Sequence, residues 1–382
     1  MNKTYDIVVL GGGTGGYLAA IRAAQLGKSV AIVERDKLGG TCLHRGCIPS
    51  KALLRSAEVH ATVLKAEEYG VVASGVQLDF KKSTGTEKKP GGGAASYRSS
   101  VFDEKKHKIE VFRGNGRIIG PSIFAPKSGA VAVELQDGEV ETLLSANLII
   151  ATGSRPRELQ GLRSDGTHVL NSDQALQLEE LPESILIIGG GVIGVEWASM
   201  LNDFGVKVTV VEAADRLIPQ EDKEVSRELE RMLSKRGVRI ITNAAVITET
   251  FAAGEGTISI TAQRQGEKLE LEAAKILVSV GRQGNVEGIG LENTDIKVDN
   301  GTIKVNARLQ TAESHIYAIG DVIGGLQLAH VAGHEGIAAV EHICGGSPHP
   351  YSPHLVPRCV YTRPETASSV GPRTKPGRRG CG

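Results

Sequence analysis

The stretch "IVVLGGGTGGYLAAIRAAQLGKSVAIVER", Ile7 to Arg35, holds a complete structural unit in outline. Four apolar residues predict a short strand, and Gly11, Gly13 and Gly16 then stand as G-x-G-x-x-G. A helix-length apolar run follows, broken at Gly27, and a β-branched run ends on Glu34. In a strand–turn–helix frame these glycines suit a dinucleotide. The first permits the tight turn, the second lets backbone approach a pyrophosphate, and the third lets helix and strand pack closely. The helix N-terminus offers unpaired N–H groups to the phosphates. Glu34 is placed to accept hydrogen bonds from ribose hydroxyls.

One such match is weak evidence, but the chain repeats it. "ILIIGGGVIGVEWASMLNDFGVKVTVVEA", Ile185 to Ala213, sets Gly189, Gly191, Gly194, Gly205 and Glu212 at a constant 178 residues from their first-copy counterparts. Two copies predict an α/β chain with two Rossmann-like dinucleotide-binding domains, the second inserted in the first. Glu212 would repel a 2′-phosphate, so the second site favours NAD over NADP, although Arg216 lies four residues on. Two sites in one chain imply electron transfer between two cofactors, FAD at the first and NAD at the second. "LIIATGSRPR" (Leu148 to Arg157) and "HIYAIGDV" (His315 to Val322) each read as a strand running into a small-residue turn. The first, with Thr152, Gly153 and Ser154, returns the chain beneath the flavin. The second sets Asp321 within reach of a ribityl hydroxyl.

Composition narrows the setting. The formal net charge of zero gives no reason to expect a nucleic acid or membrane partner. No apolar run reaches membrane-spanning length, and "MNKTYDIVVLGGG" lacks a signal-peptide core. Five cysteines in 382 residues are too few for a disulphide scaffold. A cytoplasmic address is expected.

Cys42 and Cys47 stand five positions apart in "LGGTCLHRGCIPSKALL", Leu38 to Leu54. Zinc would need further ligands, yet only His44 is local and Cys344, Cys359 and Cys381 are scattered, so no metal is expected. Thiol–disulphide exchange fits better, since one thiol attacks and a second resolves the mixed disulphide. Pro49 suits a helix start, and a helix N-terminus favours a thiolate. Lys51 lies one turn in.

These motifs, with "GGGVIGVEWA", "SVGR" and "AIGD…LAHVAGHEG", resemble the pyridine nucleotide–disulphide oxidoreductases over about residues 4–81 and 108–370. Within that family the pattern is most similar to members that oxidise dihydrolipoyl groups. The resemblance implies that Cys42 exchanges with substrate, Cys47 contacts FAD, and the two form a redox disulphide. Lys51 would lie near the flavin, paired with Glu196. Glu34, Gly116, Asp321 and Ala329 match flavin positions, and Glu212, Val246 and Gly281 match positions around NAD. The implied partner is the dihydrolipoyl domain of a 2-oxo-acid dehydrogenase acyltransferase. Members that reduce glutathione or mercuric ion fit less well, and an impaired nucleotide-binding fragment or an NADH diaphorase are the alternatives.

The implied domains are 1–150 for FAD, 151–280 for NAD, 281–350 returning to FAD, and 351–382 as the remnant of an interface domain. Two stretches depart from the family. Residues 82–107 carry Pro90 and Gly91 to Gly93, which read as a linker where the family has a long helix. "PRTKPGRRGCG" ends the chain where the family continues into its dimerisation domain, expected to be largely missing here. A shifted reading frame would account for both. None of His330, His334 and His342 has the context of the family's catalytic base.

Overall fold

The computed structural model describes residues 2–84, 109–121, 128–348 and 352–369. In chain order the first elements are β1 (Asn2–Leu10), α1 (Thr14–Gln25), β2 (Val30–Glu34), α2 (Gly40–His44), α3 (Cys47–Leu64), β3 (Ile109–Ile119), β4 (Ala130–Leu135) and β5 (Val140–Ile150). Then come β6 (Val169–Asn171), β7 (Ser184–Ile188), α4 (Val192–Asp203), β8 (Lys207–Val211), α5 (Lys223–Lys235), β9 (Arg239–Ile241), β10 (Ala244–Ala253), β11 (Ile258–Arg264), β12 (Glu267–Ala273) and β13 (Lys275–Val278). Last are β14 (Ile316–Ala318), α6 (Ala329–Ile343), β15 (Arg358–Val360) and β16 (Thr366–Ser368).

The described residues form two compact units. One lies within Met1–Cys47, Pro90–Arg155 and Arg282–Pro353, the other within Ile48–Lys89, Pro156–Gly281 and His354–Gly382.

In the first unit a parallel sheet runs β3-β2-β1-β5-β14. The far end of β3 turns into an antiparallel meander with β4 and the start of β5. The Ile7–Leu10 end of β1 is apolar at every position because both of its faces are covered. Ile7 and Val9 pack on one face against Ala19, Ala20 and Ala23 of α1, while Val8 and Leu10 pack on the other against Val131 and Leu143. A parallel sheet covered on both faces wants apolar residues at every position. Helix α6 lies close against α1, where a Cβ on Gly336 would stand 2.5 Å from the Gly15 carbonyl oxygen.

The second unit repeats the plan. Its parallel sheet runs β9-β8-β7-β13-β6, with β10, β11 and β12 as a separate antiparallel meander. Ile185 and Ile187 face a core with Leu53, Val195 and Leu201, and Leu186 and Ile188 face the meander's Ile258 and Leu271.

A short helix, Phe80–Thr84, covers Lys82 to Thr84, the start of the stretch expected to be a linker. Asp79 accepts from the Lys82 amide at its start, and the proline and glycines lie further on. The rest of that stretch and the segment from Pro372 lie outside the described residues. No helix among the described residues is long and apolar enough to cross a membrane.

Candidate functional site

The two glycine turns have the same geometry. A Cβ on Gly11 would meet the Ala151 carbonyl oxygen at 2.3 Å, and one on Gly189 would meet that of Ser279 at 2.5 Å. A Cβ on Gly16 or Gly194 would lie 1.9 Å from the carbonyl oxygen of Gly11 or Gly189. These four glycines are fixed by the protein's own packing. Gly13 and Gly191 differ, since nothing lies within 4 Å of their missing Cβ. Each precedes the first residue of its helix, so open space meets a helix N-terminus at both places. That is the cradle a pyrophosphate needs, and the residues present fit one dinucleotide in each unit.

The two glutamates close the turns. Glu34 accepts from the Gly12 amide at 2.7 Å and the Asp36 amide at 2.8 Å. Glu212 accepts from the Gly190 amide at 2.5 Å and the Ala214 amide at 2.7 Å. Burial pushes the Glu34 carboxyl above the usual range, opposed by the Gly12 amide. Arg216 is tied down, donating to Pro219 O at 2.7 Å and Asp215 at 2.9 Å.

The other positions expected around the first cofactor share its unit. Thr152 donates to Asn285 O at 2.8 Å, and Asn285 returns a side-chain bond to Thr152 O at 2.9 Å. The Asn285 amide also donates to Gly153 O at 2.9 Å. Ser154 donates to Asp321 at 2.5 Å while accepting from Arg282 at 2.7 Å. Gly116 lies in β3, where a Cβ would come within 2.4 Å of Leu10, so a larger residue would push into the sheet. Ala329 is the first residue of α6. In the second unit, Val246 lies in β10 against the meander core, and Gly281 follows β13 with φ +111° and open space beside it.

The segment that carries the cysteines starts at the edge of the first cradle. Cys42 lies in α2 and Cys47 is the first residue of α3, both half-buried. The segment is pinned to the glycine turn by the Gly39 amide, which donates to Gly12 O at 2.8 Å, and by a short bridge between Gly13 and Gly39. Between the cysteines the Arg45 amide donates to Thr41 O at 2.8 Å, and Arg45 pairs with Asp36. Among the described residues no cluster of metal-ligating side chains is found.

Lys51, four residues along α3 from Cys47, does not simply pair with Glu196 as expected. Its ammonium stands 4.2 Å from the centre of the Tyr361 ring, and Glu196 accepts from the Tyr361 amide at 2.9 Å. Burial pushes the Glu196 carboxyl up, opposed by that amide and by the Lys51 charge. Sequence reasoning missed Tyr361, Asn285 and Arg282. The resemblance over residues 108–370 takes in Tyr361, but nothing around it singled out the tyrosine.

The chain belongs to the pyridine nucleotide–disulphide oxidoreductase family, which it matches over residues 5–336. It is an oxidoreductase, a flavoprotein whose cofactors are FAD and NAD(H). It is 59% identical to the dihydrolipoyl dehydrogenase of Bacillus subtilis over 369 residues, which is 96% of this chain and 77% of that protein. A dihydrolipoyl dehydrogenase of Zymomonas mobilis is 41% identical over the same shares of the two chains. Among solved structures, LpdA from Mycobacterium tuberculosis superposes with a TM-score of 0.85 at 28% identity, covering 96% of this chain and 77% of that one.

Proposed function

We propose that this chain oxidises dihydrolipoyl groups to the cyclic disulphide at the expense of NAD⁺, with Cys42 and Cys47 as the redox pair. The observation that carries the reading is the anchoring of the cysteine segment to the first glycine turn, through Gly39 and Gly12. FAD, when bound, supplies the two-electron link between the cysteine pair and the nicotinamide.

Gly11, Gly13, Gly16, Glu34, Gly116, the Thr152–Ser154 turn, Asp321 and Ala329 hold the flavin nucleotide. Gly189, Gly191, Gly194, Glu212, Val246 and Gly281 hold NAD. A substrate thiolate attacks Sγ of Cys42 in the Cys42–Cys47 disulphide. That S–S bond breaks, a mixed disulphide forms on Cys42, and Cys47 leaves as a thiolate. The second substrate thiolate then attacks the substrate sulphur of the mixed disulphide. The lipoyl ring closes and Cys42 leaves as a thiolate, so the cysteine pair has gained two electrons and the substrate thiols have given up two protons. Lys51 supplies a cation with Glu196 as its counter-charge. The names of the most similar relatives support this substrate class. The natural substrate is the dihydrolipoyl domain of a 2-oxo-acid dehydrogenase acyltransferase, met in the cytoplasm.

The test uses the purified chain reconstituted with FAD, followed by absorbance while dihydrolipoamide and NAD⁺ are added. NADH should form, and Cys42→Ser and Cys47→Ser should each abolish it. Anaerobic NADH should also raise a long-wavelength band in the wild type that Cys47→Ser lacks. NADH-driven dye reduction without lipoyl turnover would reduce the reading to a diaphorase.

A further inference from the structure

Tyr361 touches both charged groups of the Lys51–Glu196 pair, through different parts of itself. Its backbone N–H donates to Glu196 Oε1 at 2.9 Å, so that contact survives any side chain except proline. Its ring lies 4.2 Å from the Lys51 ammonium, where the negative ring face attracts the cation. A lysine carries a flexible four-carbon stem that samples many rotamers, so a cation with a chemical task needs something to hold it. Glu196 alone does not do this, because its Oε1 is given to the Tyr361 amide. The segment bearing Tyr361 is itself anchored, since the Arg363 amide donates to Ser199 Oγ at 3.0 Å and Arg236 donates to Arg363 O at 2.7 Å.

We propose that Tyr361 is a positioning residue that holds the Lys51 ammonium by its ring and the Glu196 carboxylate by its amide, keeping the two charges in register. The inference rests on the reading of Lys51 as the working cation of the dihydrolipoyl reaction.

The experiment compares Tyr361→Phe and Tyr361→Leu in the full chain labelled with [ε-¹³C]lysine. The Lys51 resonance is assigned by its loss in Lys51→Arg. An ammonium over an aromatic face carries a ring-current shift. Tyr361→Phe should keep that shift and Tyr361→Leu should lose it, with the other lysine resonances unmoved as evidence of an intact fold. With FAD bound, reduction of the flavin by dihydrolipoamide should slow about tenfold in Tyr361→Leu at unchanged substrate affinity, and Tyr361→Phe should restore it. A shift retained in Tyr361→Leu, or a rate unaffected by its loss, overturns the proposal. Lys51→Met separates the two levels of argument. If it leaves the rate intact, the reading of Lys51 fails as well. If it slows the rate while Tyr361→Leu does not, only the role of Tyr361 fails.

Discussion

Glu34 accepts a hydrogen bond from the Gly12 amide at 2.7 Å, and 178 residues later Glu212 does the same for Gly190. Each glutamate also takes the amide two residues beyond itself, so each carboxylate braces its glycine turn from within. Glu34→Ala and Glu212→Ala each strand two amides. Losing the partner of a buried amide costs about 1–3 kcal/mol, so both variants should melt measurably below wild type. The losses of function should separate. Glu34→Ala should weaken FAD binding, whereas Glu212→Ala should keep the flavin spectrum and lose NADH affinity in a titration. A shared loss of both cofactors from either variant would contradict independent cradles.

The glycines of one fingerprint have unequal jobs, and alanine should expose the difference. Gly13→Ala enters open space and should shift apoprotein stability by only about 0.5 kcal/mol, while its methyl group occupies the cradle and FAD affinity falls. Gly16→Ala drives a methyl into the Gly11 carbonyl oxygen, an overpacking that costs about 1–3 kcal/mol or more. Thermal melts without FAD, followed by FAD titration, should find the fold damaged in the second variant and binding alone damaged in the first.

These local devices are what the sequence made readable. A strand, a glycine turn, a helix and an acid fall within some thirty consecutive residues, and the repeat at 178 confirmed each landmark against the other. The relatives then bore out the family and its cofactors. The stitching was not readable, because it joins residues distant in the chain. Asn285 ties the Thr152–Gly153 turn from more than a hundred positions away, and Arg282 bonds to Ser154 from 128 away. Tyr361 escaped notice for a related reason: half its role belongs to a backbone N–H, which leaves no mark in residue type.

Asp203 is the clearest interaction of that long-range kind. Its carboxylate, only 6% exposed, pairs with Arg236 at 2.7 Å and with Arg363. Removing one member of a buried ion pair leaves uncompensated charge and typically costs about 3–5 kcal/mol. Asp203→Ala strands two guanidinium groups and should fall at the upper end of that range by urea denaturation. Arg363→Ala keeps the Asp203–Arg236 pair and should cost less. Equal losses would mean that the ion pairs contribute little and that packing around Ser199 dominates.

Glu196 makes stability depend on pH with a definite sign. Burial raises its carboxyl above the ordinary value of 4.5 by more than the Tyr361 amide and the Lys51 charge lower it. A folded-state value above the unfolded one means that the folded protein holds this proton more tightly. The contribution to stability is therefore complete below the unfolded value and lost as pH rises through the raised folded one. Glu196→Gln keeps an oxygen for the Tyr361 amide and cannot ionise. The difference in melting temperature between the variant and wild type should grow in favour of glutamine as pH climbs from about 4.5 through the raised value, then level off. A difference that moves the other way would show that attraction to Lys51 outweighs the cost of burying the carboxylate.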